Sequence, residues 1–332
     1  MTVLGLEPRV RRDPLVVTQS DLRSYKVCRR SWMMSSYLGL SPNEVPPFGP
    51  LPLGSRVHKA LEHYYADGQD PVDAYLAIAK QELAKLEESG ILFDRTAWES
   101  ETDLGRIMLE GYVIWLEDTG ADANYEILGA EQRLTYDLDV LGTSVQLRGK
   151  VDLRVRNMVT GARLVLDHKT TASFSNLTIT AQYDVQLLFY LLLERLQPQM
   201  DESDWLEGAV FSMLRKVKRS ERSKPPYYER IEVHHNETTL RNYWTRLMGT
   251  LEDYVRVVHR LDDGQEHRFV AYPTPGPQCR FCPAKAPCLM MDDGSHAEEM
   301  IHDLYYQDDP HRRYEKEPAP LLDEVAANPG GF

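Results

Sequence analysis

A chain of 332 residues, 42% hydrophobic and 27% charged, has the balance of a folded globular protein, long enough for two ordinary domains or one large domain with insertions. Its formal charge of −13 taken alone argues against nucleic acid as a partner, but the excess is local: residues 291–332 carry eleven acidic and three basic side chains, a net of −8 that leaves −5 for the rest. No apolar run approaches the roughly 18 residues of a membrane span, and the N-terminus MTVLGLEPRVRRDP lacks the apolar core of a signal peptide. A cytoplasmic protein with reduced or metal-bound cysteines is expected.

Thr18 to Leu38 is expected as a helix, with Ser20 as N-cap before Leu22, Tyr25, Trp32 and Met33 at helical spacing and Cys28 inside it. Ser41 to Pro52, with five prolines, is expected as a loop. Gly54 to Ala66 opens a second helix, in which Val57, Leu61 and Tyr64 form one stripe while His58 and Glu62 share another face. A lone helical histidine is more often structural than a ligand. Pro71 to Ser89 and Trp98 to Asp118 are expected as two amphipathic helices, joined at Gly90 to Phe93 and inserted before a sheet. Tyr125 to Asp139 alternates enough to be the first strand, with Glu131 near its middle.

The chain is organised around Arg148 to Thr171, RGKVDLRVRNMVTGARLVLDHKTT. Thr143 to Arg156 and Arg163 to Thr170 are rich in Val and Leu in rough alternation, and Asn157 to Gly161 carries the signals of a reversal, so a hairpin follows. Asp152 lies on one arm, Asp167 and Lys169 on the other. Residues two apart on a strand share a face, so Asp167 and Lys169 point together at whatever Asp152 also reaches. Two carboxylates suit Mg²⁺ or Mn²⁺ and leave positions for water and a phosphate oxygen. A lysine beside them orients the attacking water or stabilises charge developing on phosphorus. By itself Asp-x-Lys is usually an ordinary surface pair.

Ala181 to Leu196 is expected as a buried helix with Gln186 and Tyr190 one turn apart, followed by strands Leu206 to Leu214 and Tyr228 to His234 and a long helix Thr238 to Leu261. Arg215 to Lys224, with six basic residues and one acidic, and the N-terminal Arg9, Arg11, Arg12, Arg29 and Arg30 either track phosphates or form solvated surfaces. Cys279, Cys282 and Cys288 follow Cys-x2-Cys-x5-Cys and, with Cys28, account for every cysteine. Four thiols in a cytosolic chain argue for a metal centre more than a disulfide framework. A structural zinc site usually has two local Cys-x-x-Cys pairs, whereas an iron-sulfur cluster tolerates this layout more readily. Ala297 to Tyr306 is expected as a short helix, and Pro310 to Phe332 as disordered.

Together these motifs resemble the RecB-like branch of the PD-(D/E)XK nucleases, in particular the CRISPR-associated RecB-like exonucleases with an iron-sulfur cluster and the related AddB nuclease domain. The resemblance runs from Thr18 to Cys288 through GSRVH (His58), GKVD (Asp152), LDHKT (Asp167, Lys169), QLLFY (Gln186, Tyr190) and the four cysteines, in the family's order. It implies an α/β restriction-endonuclease-like core of order αβββαβ. It further implies a divalent metal, Mg²⁺ or Mn²⁺, held by His58, Asp152, Asp167 and the backbone carbonyl of His168. Lys169 would be catalytic, Gln186 and Tyr190 would position the lysine, water or DNA strand, and Glu131 would take a supporting or second-ion role. Cys28, Cys279, Cys282 and Cys288 would bind a [4Fe-4S] cluster joining the two chain ends, with zinc as the competing metal. The implied organisation is an N-terminal segment 1–53, a nuclease core 54–236 with helical insertion 71–118, a helix and cysteine cluster 237–290, and an acidic tail 291–332. Cys28 is followed by Arg29 where the family often has proline, and the tail and basic loop have no counterpart. No Gly-x4-Gly-Lys-Ser/Thr loop occurs, so a nuclease of this kind acts on existing single strands or ends, or borrows a helicase. The expected function is a single-stranded DNA exonuclease in recombination, repair or CRISPR-type processing. The alternative is a non-catalytic DNA-binding or assembly subunit of such a complex.

Overall fold

The computed structural model describes residues 3–9, 13–43, 46–198 and 206–314. Arg11, Arg12 and the tail beyond residue 314 lie outside the described residues; the disorder expected from Pro310 does not hold for its first residues, since Arg312–Tyr314 form a 3-10 turn and His311 and Tyr314 are buried. In chain order the elements begin with β1 (Leu15–Thr18), α1 (Gln19–Val27), α2 (Arg29–Trp32), a π-helical turn Met33–Tyr37, and β2 (Leu40–Pro42). Three helices follow, α3 (Pro50–Asp67), α4 (Pro71–Ser89) and α5 (Arg95–Thr119), then strands β3 (Tyr125–Val140), β4 (Thr143–Asn157) and β5 (Arg163–Thr171). Next come α6 (Ser175–Thr180), a 3-10 turn Ala181–Tyr183, α7 (Val185–Arg195), β6 (Leu206–Arg215) and β7 (Tyr228–His234). The chain continues through α8 (Glu237–Asp262), α9 (His267–Val270), a 3-10 turn Pro277–Phe281, α10 (Lys285–Asp293), α11 (Ala297–Leu304) and β8 (Tyr305–Gln307).

Two compact units result. The first comprises the described residues up to 43 with 134–149 and 238–314, and the second comprises 46–133 with the described part of 150–237. β3 and β4 contribute residues to both.

In the second unit the later half of β4 runs antiparallel to β5, with Leu153 opposite Leu166 and Arg156 opposite Arg163. β5 is parallel to β6, placing Asp167 beside Phe211 and Lys169 beside Met213, and β6 is antiparallel to β7. This is a mixed sheet flanked by helices. Its middle strands read as near-continuous apolar runs, LVL and GAVF, because they are covered on both faces. One core gathers Val57 and Leu61 of α3, Leu109 and Tyr112 of α5, Leu214 of β6 and Tyr228 of β7. α7 is apolar all round, buries Leu187 through Leu193, and packs on β5 and β6. Asp184 caps it by accepting the Leu187 N–H at 3.0 Å. Near its end Glu194 receives two 2.7 Å hydrogen bonds from Arg154 of β4, a buried ion pair that sets the helix on the sheet.

In the first unit β1 lies parallel to the opening half of β4, Leu15 beside Val145 and Thr18 beside Arg148. The expected long helix differs from the observed one. Its N-cap is Thr18, not Ser20, because Thr18 and Asp21 form a reciprocal capping box. Helical structure breaks at Cys28, whose extended backbone (φ −162, ψ 111) ends α1 and starts α2, so this cysteine sits at a kink. Trp32 donates to the Tyr254 hydroxyl at 3.0 Å and meets Tyr25 edge-on, which seats α1 and α2 on α8. The expected loop 41–52 is also corrected: α3 already begins at Pro50, since a proline in the first turn forfeits only an N–H that has no intrahelical acceptor. Among the described residues no helix is long and apolar enough to cross a membrane.

Candidate metal centre and active site

The site lies in the second unit. His58 comes from α3, Glu131 from β3, Asp152 from β4, Asp167 to Lys169 from β5, and Gln186 and Tyr190 from α7. Among the described residues His58, Glu131 and Asp152 are the group of metal-ligating side chains whose ligand atoms all lie within 4.8 Å of one another. His58 Nδ1 is 3.3 Å from Asp152 Oδ2. That oxygen also accepts the backbone N–H of His168 at 2.7 Å, fixing Asp152 against β5. Glu131 has φ +48, a left-handed conformation that β-strand residues rarely adopt, and its carboxylate pairs with Lys150 at 2.5 Å.

Asp167 and Lys169 share a strand face, as the i, i+2 spacing required, and Lys169 Nζ lies 2.6 Å from Asp167 Oδ2. Gln186 Oε1 accepts from Lys169 Nζ at 3.0 Å, while Gln186 Nε2 donates to the Tyr190 hydroxyl at 2.9 Å and to Asp167 Oδ1 at 3.4 Å. Tyr190, Gln186, Lys169 and Asp167 thus form one connected polar row. Beyond the charge contact with Lys169, the buried Oδ2 of Asp167 has no hydrogen-bond donor, so a lone pair remains for a cation. The His168 ring turns to the opposite face and stacks on Tyr65 at 5.5 Å, with both ring nitrogens unpaired.

Burial and close charges set the protonation states. Burial opposes charge on His58, but Asp152, Asp167 and Glu131 outweigh it and raise its pKa to about 9. Burial and the Asp152 charge push Glu131 up to about 7 despite Lys150. Burial, with Asp152 reinforcing it against Lys169, raises Asp167 to about 6. Asp152 is held below the usual carboxylate range: burial works the other way but loses to His58. Burial would lower Lys169, yet Asp167 keeps it raised and therefore charged, while burial drops His168 to about 3 and keeps that ring neutral.

A hard divalent cation fits this donor set of carboxylates and one imidazole beside an ammonium. The grouping differs in emphasis from the sequence expectation, since Glu131 joins His58 and Asp152 while Asp167 is engaged with Lys169.

The profile of the PD-(D/E)XK nuclease superfamily matches residues 16–289. The chain belongs to that superfamily. As a PD-(D/E)XK protein it is a metal-dependent nuclease, and its αβββαβ order is met by α3, β3 to β5, α7 and β6. No curated protein matches the chain. Solved structures it is similar to include SSO0001, at 19% identity and TM-score 0.30, covering 61% of this chain and 80% of that one. Another is a protein of Eubacterium rectale described as a "Putative exonuclease", at 14% identity and TM-score 0.42, covering 75% of this chain and 81% of that one. At these scores neither likeness bears on the site.

Two groups around this PD-(D/E)XK site escaped the sequence reading. Lys150, two residues before Asp152 on the same strand face, holds Glu131, and the alternation of GKVD already contained that signal. The Arg154–Glu194 pair, which places α7 and hence Gln186, joins residues 40 apart and had none. The basic loop after β6 is partly structural, with Arg219 over the Tyr227 ring at 3.4 Å and donating to the Tyr228 hydroxyl at 2.6 Å.

Proposed function

We propose that this chain is a RecB-like exonuclease that hydrolyses phosphodiester bonds of single-stranded DNA or of free DNA ends. The observation that carries the reading is the meeting of His58, Glu131 and Asp152 within 4.8 Å, with Asp167 and a charged Lys169 on the adjoining strand. His58, Asp152 and Asp167, with the His168 carbonyl, are assigned as holders of Mg²⁺ or Mn²⁺, and Glu131 joins them or takes a second ion. When bound, such an ion supplies Lewis acidity and lowers the pKa of water. Lys169 presents its ammonium to the non-bridging phosphate oxygens, where negative charge grows in the transition state. Gln186 fixes the direction of that ammonium, and Tyr190 fixes Gln186, so the charge is in place before substrate arrives.

The four cysteines, unpaired in the structure, are assigned to a [4Fe-4S] cluster. Their surroundings suit anionic sulfur. The Thr274 N–H points at Cys28 Sγ at 3.4 Å, the Arg30 guanidinium at Cys288 Sγ at 3.6 Å, and the Ser31 hydroxyl lies 3.8 Å from Cys282 Sγ. The role assigned to the cluster is structural. The protein is placed in the cytosol, in DNA recombination, repair or CRISPR-type processing, alongside a helicase or complex partner.

Cleavage of single-stranded DNA labelled at either end, by anaerobically purified protein with Mg²⁺, Mn²⁺ or EDTA, tests the reading. Metal-dependent loss of label is expected in the wild type, with Asp167→Ala and Lys169→Ala slowed by about 10²-fold or more. DNA binding without cleavage in any metal, by folded iron-loaded protein, would instead identify a non-catalytic subunit.

A further inference from the structure

The first unit holds a cavity of about 510 Å³ that no part of the nuclease site uses. Arg246, Gly249, Thr250 and Asp253 form one wall, and their spacing puts them on a single face of α8. Tyr25 and Lys26 of α1 and Arg29 of α2 form a second wall, and Tyr272 and Thr274 a third. The lining is polar and aromatic, with no Leu, Ile, Val or Met, and three of its residues are cationic against one carboxylate.

That carboxylate is already taken. Asp253 pairs with Arg29 and accepts the Tyr25 hydroxyl at 2.7 Å. Arg29 is in turn seated between rings, 5.0 Å from Tyr25 and 5.4 Å from Tyr272. Lys26 and Arg246 are left facing the cavity, and among the described residues neither makes an ion pair. Gly249 is a separate observation. A glycine inside a 26-residue helix costs about 1 kcal/mol relative to alanine, and a Cβ built there meets nothing within 4 Å. Packing does not require the glycine; it leaves the helix backbone open to the cavity.

We propose that this cavity binds the phosphodiester backbone of single-stranded nucleic acid, with Lys26 and Arg246 holding a phosphate and the half-exposed Tyr272 ring offering a face to the adjoining base. The inference rests on the nuclease reading for its choice of ligand. Thr274 lines the cavity and also donates its N–H to Cys28, so this grip adjoins the assigned cluster while using none of its ligands.

The test is fluorescence anisotropy of a fluorescein-labelled single-stranded oligothymidylate with full-length, iron-loaded protein in EDTA, where nothing is cut, across a range of salt. The Lys26→Glu/Arg246→Glu double variant is expected to lose about tenfold in affinity or more. Its plot of log affinity against log salt should flatten by about 0.7, the share of the one phosphate the pair holds. Gly249→Glu, which projects a carboxylate into open space, should weaken binding comparably, whereas Gly249→Ala should bind as the wild type does. Unchanged affinity and slope in both charge-altering variants, with visible absorbance intact, would overturn the proposal. So would a result in which inorganic phosphate binds the wild type but not Gly249→Glu while oligonucleotide binding is the same in both, because the cavity would then take a free anion and not a strand. Cleavage is scored separately with Lys169→Ala. A wild type that cuts, with cavity variants that bind normally, defeats this inference alone; a wild type that binds through the cavity but never cuts defeats the nuclease reading alone.

Discussion

The metal centre and the cysteine region of this chain are built on opposite principles. At the metal centre the charged groups answer one another: His58 meets Asp152, Glu131 meets Lys150, and Lys169 meets Asp167 and Gln186. These groups stand on a β-ladder and on helices whose other faces are buried apolar core. The cysteines stand on short pieces. Cys28 is at a kink, Cys279 is in a 3-10 turn that buries no residue, and α10, which carries Cys288, buries only Pro287. Three of the sulfurs, those of Cys28, Cys282 and Cys288, each meet one polar group at 3.4 to 3.8 Å. The first site is held by many contacts among the protein's own groups; the second is built from short segments that make few.

The largest effect that would sharpen this contrast comes from Cys282→Ser. With the proposed [4Fe-4S] cluster in place, the anaerobic variant is expected to lose the iron and visible absorbance of the wild type, and limited proteolysis should then cut between residues 271 and 296 while leaving β4 to β6 whole. Removing divalent ions with EDTA should produce no such cutting. Equal sensitivity to both treatments would break the comparison.

Next in size is Glu194→Ala. It leaves Arg154 buried without its bidentate partner and is expected to cost about 3–5 kcal/mol in urea unfolding. Cleavage should fall as well, because α7 then no longer fixes Gln186 over Lys169. Full activity in a destabilised variant would show that Gln186 is placed by apolar packing alone.

The smallest effect is confined to the first unit. Asp21 is buried; burial raises its pKa, but His311 at 2.9 Å and the Thr18 hydroxyl at 2.6 Å prevail and hold it below its usual value. A carboxyl with a depressed folded pKa contributes stability that is complete above its unfolded pKa of about 3.9 and is lost as pH falls through the folded value. Asp21→Asn should therefore cost about 1–3 kcal/mol at pH 7, and its stability should decline less than that of the wild type below about pH 4. Parallel acid curves for the two proteins would remove Asp21 from the account.

How much was legible in the sequence divides along the same line. β4, β5, β6, β7 and α8 were readable because strand alternation and helical stripes are local patterns, each set by the face that its own element buries. Asp167 and Lys169 were readable because strand geometry alone puts i and i+2 on one face, and Asp152 because the hairpin brings its strand alongside theirs. β1, β2, β8, α9 and α10, with three to nine residues each, were not, since so short a segment leaves no period to detect. Thr18 displaced Ser20 as the cap because Asp21 answers it from the third helical position, a reciprocal pair that propensity alone does not rank.

By itself, then, the amino-acid order determined the strands and the longer helices of the second unit, the Asp-x-Lys pair and the spacing of the four thiols. Only the tertiary structure decided that Glu131, in a left-handed backbone conformation, joins His58 and Asp152, that Glu194 locks α7 to β4, and that Lys26, Arg246 and Gly249 open on one cavity. The reason is physical. Pattern along a chain encodes which face of an element is buried, whereas long-range pairs depend on how those faces meet, and no short stretch of sequence carries that information.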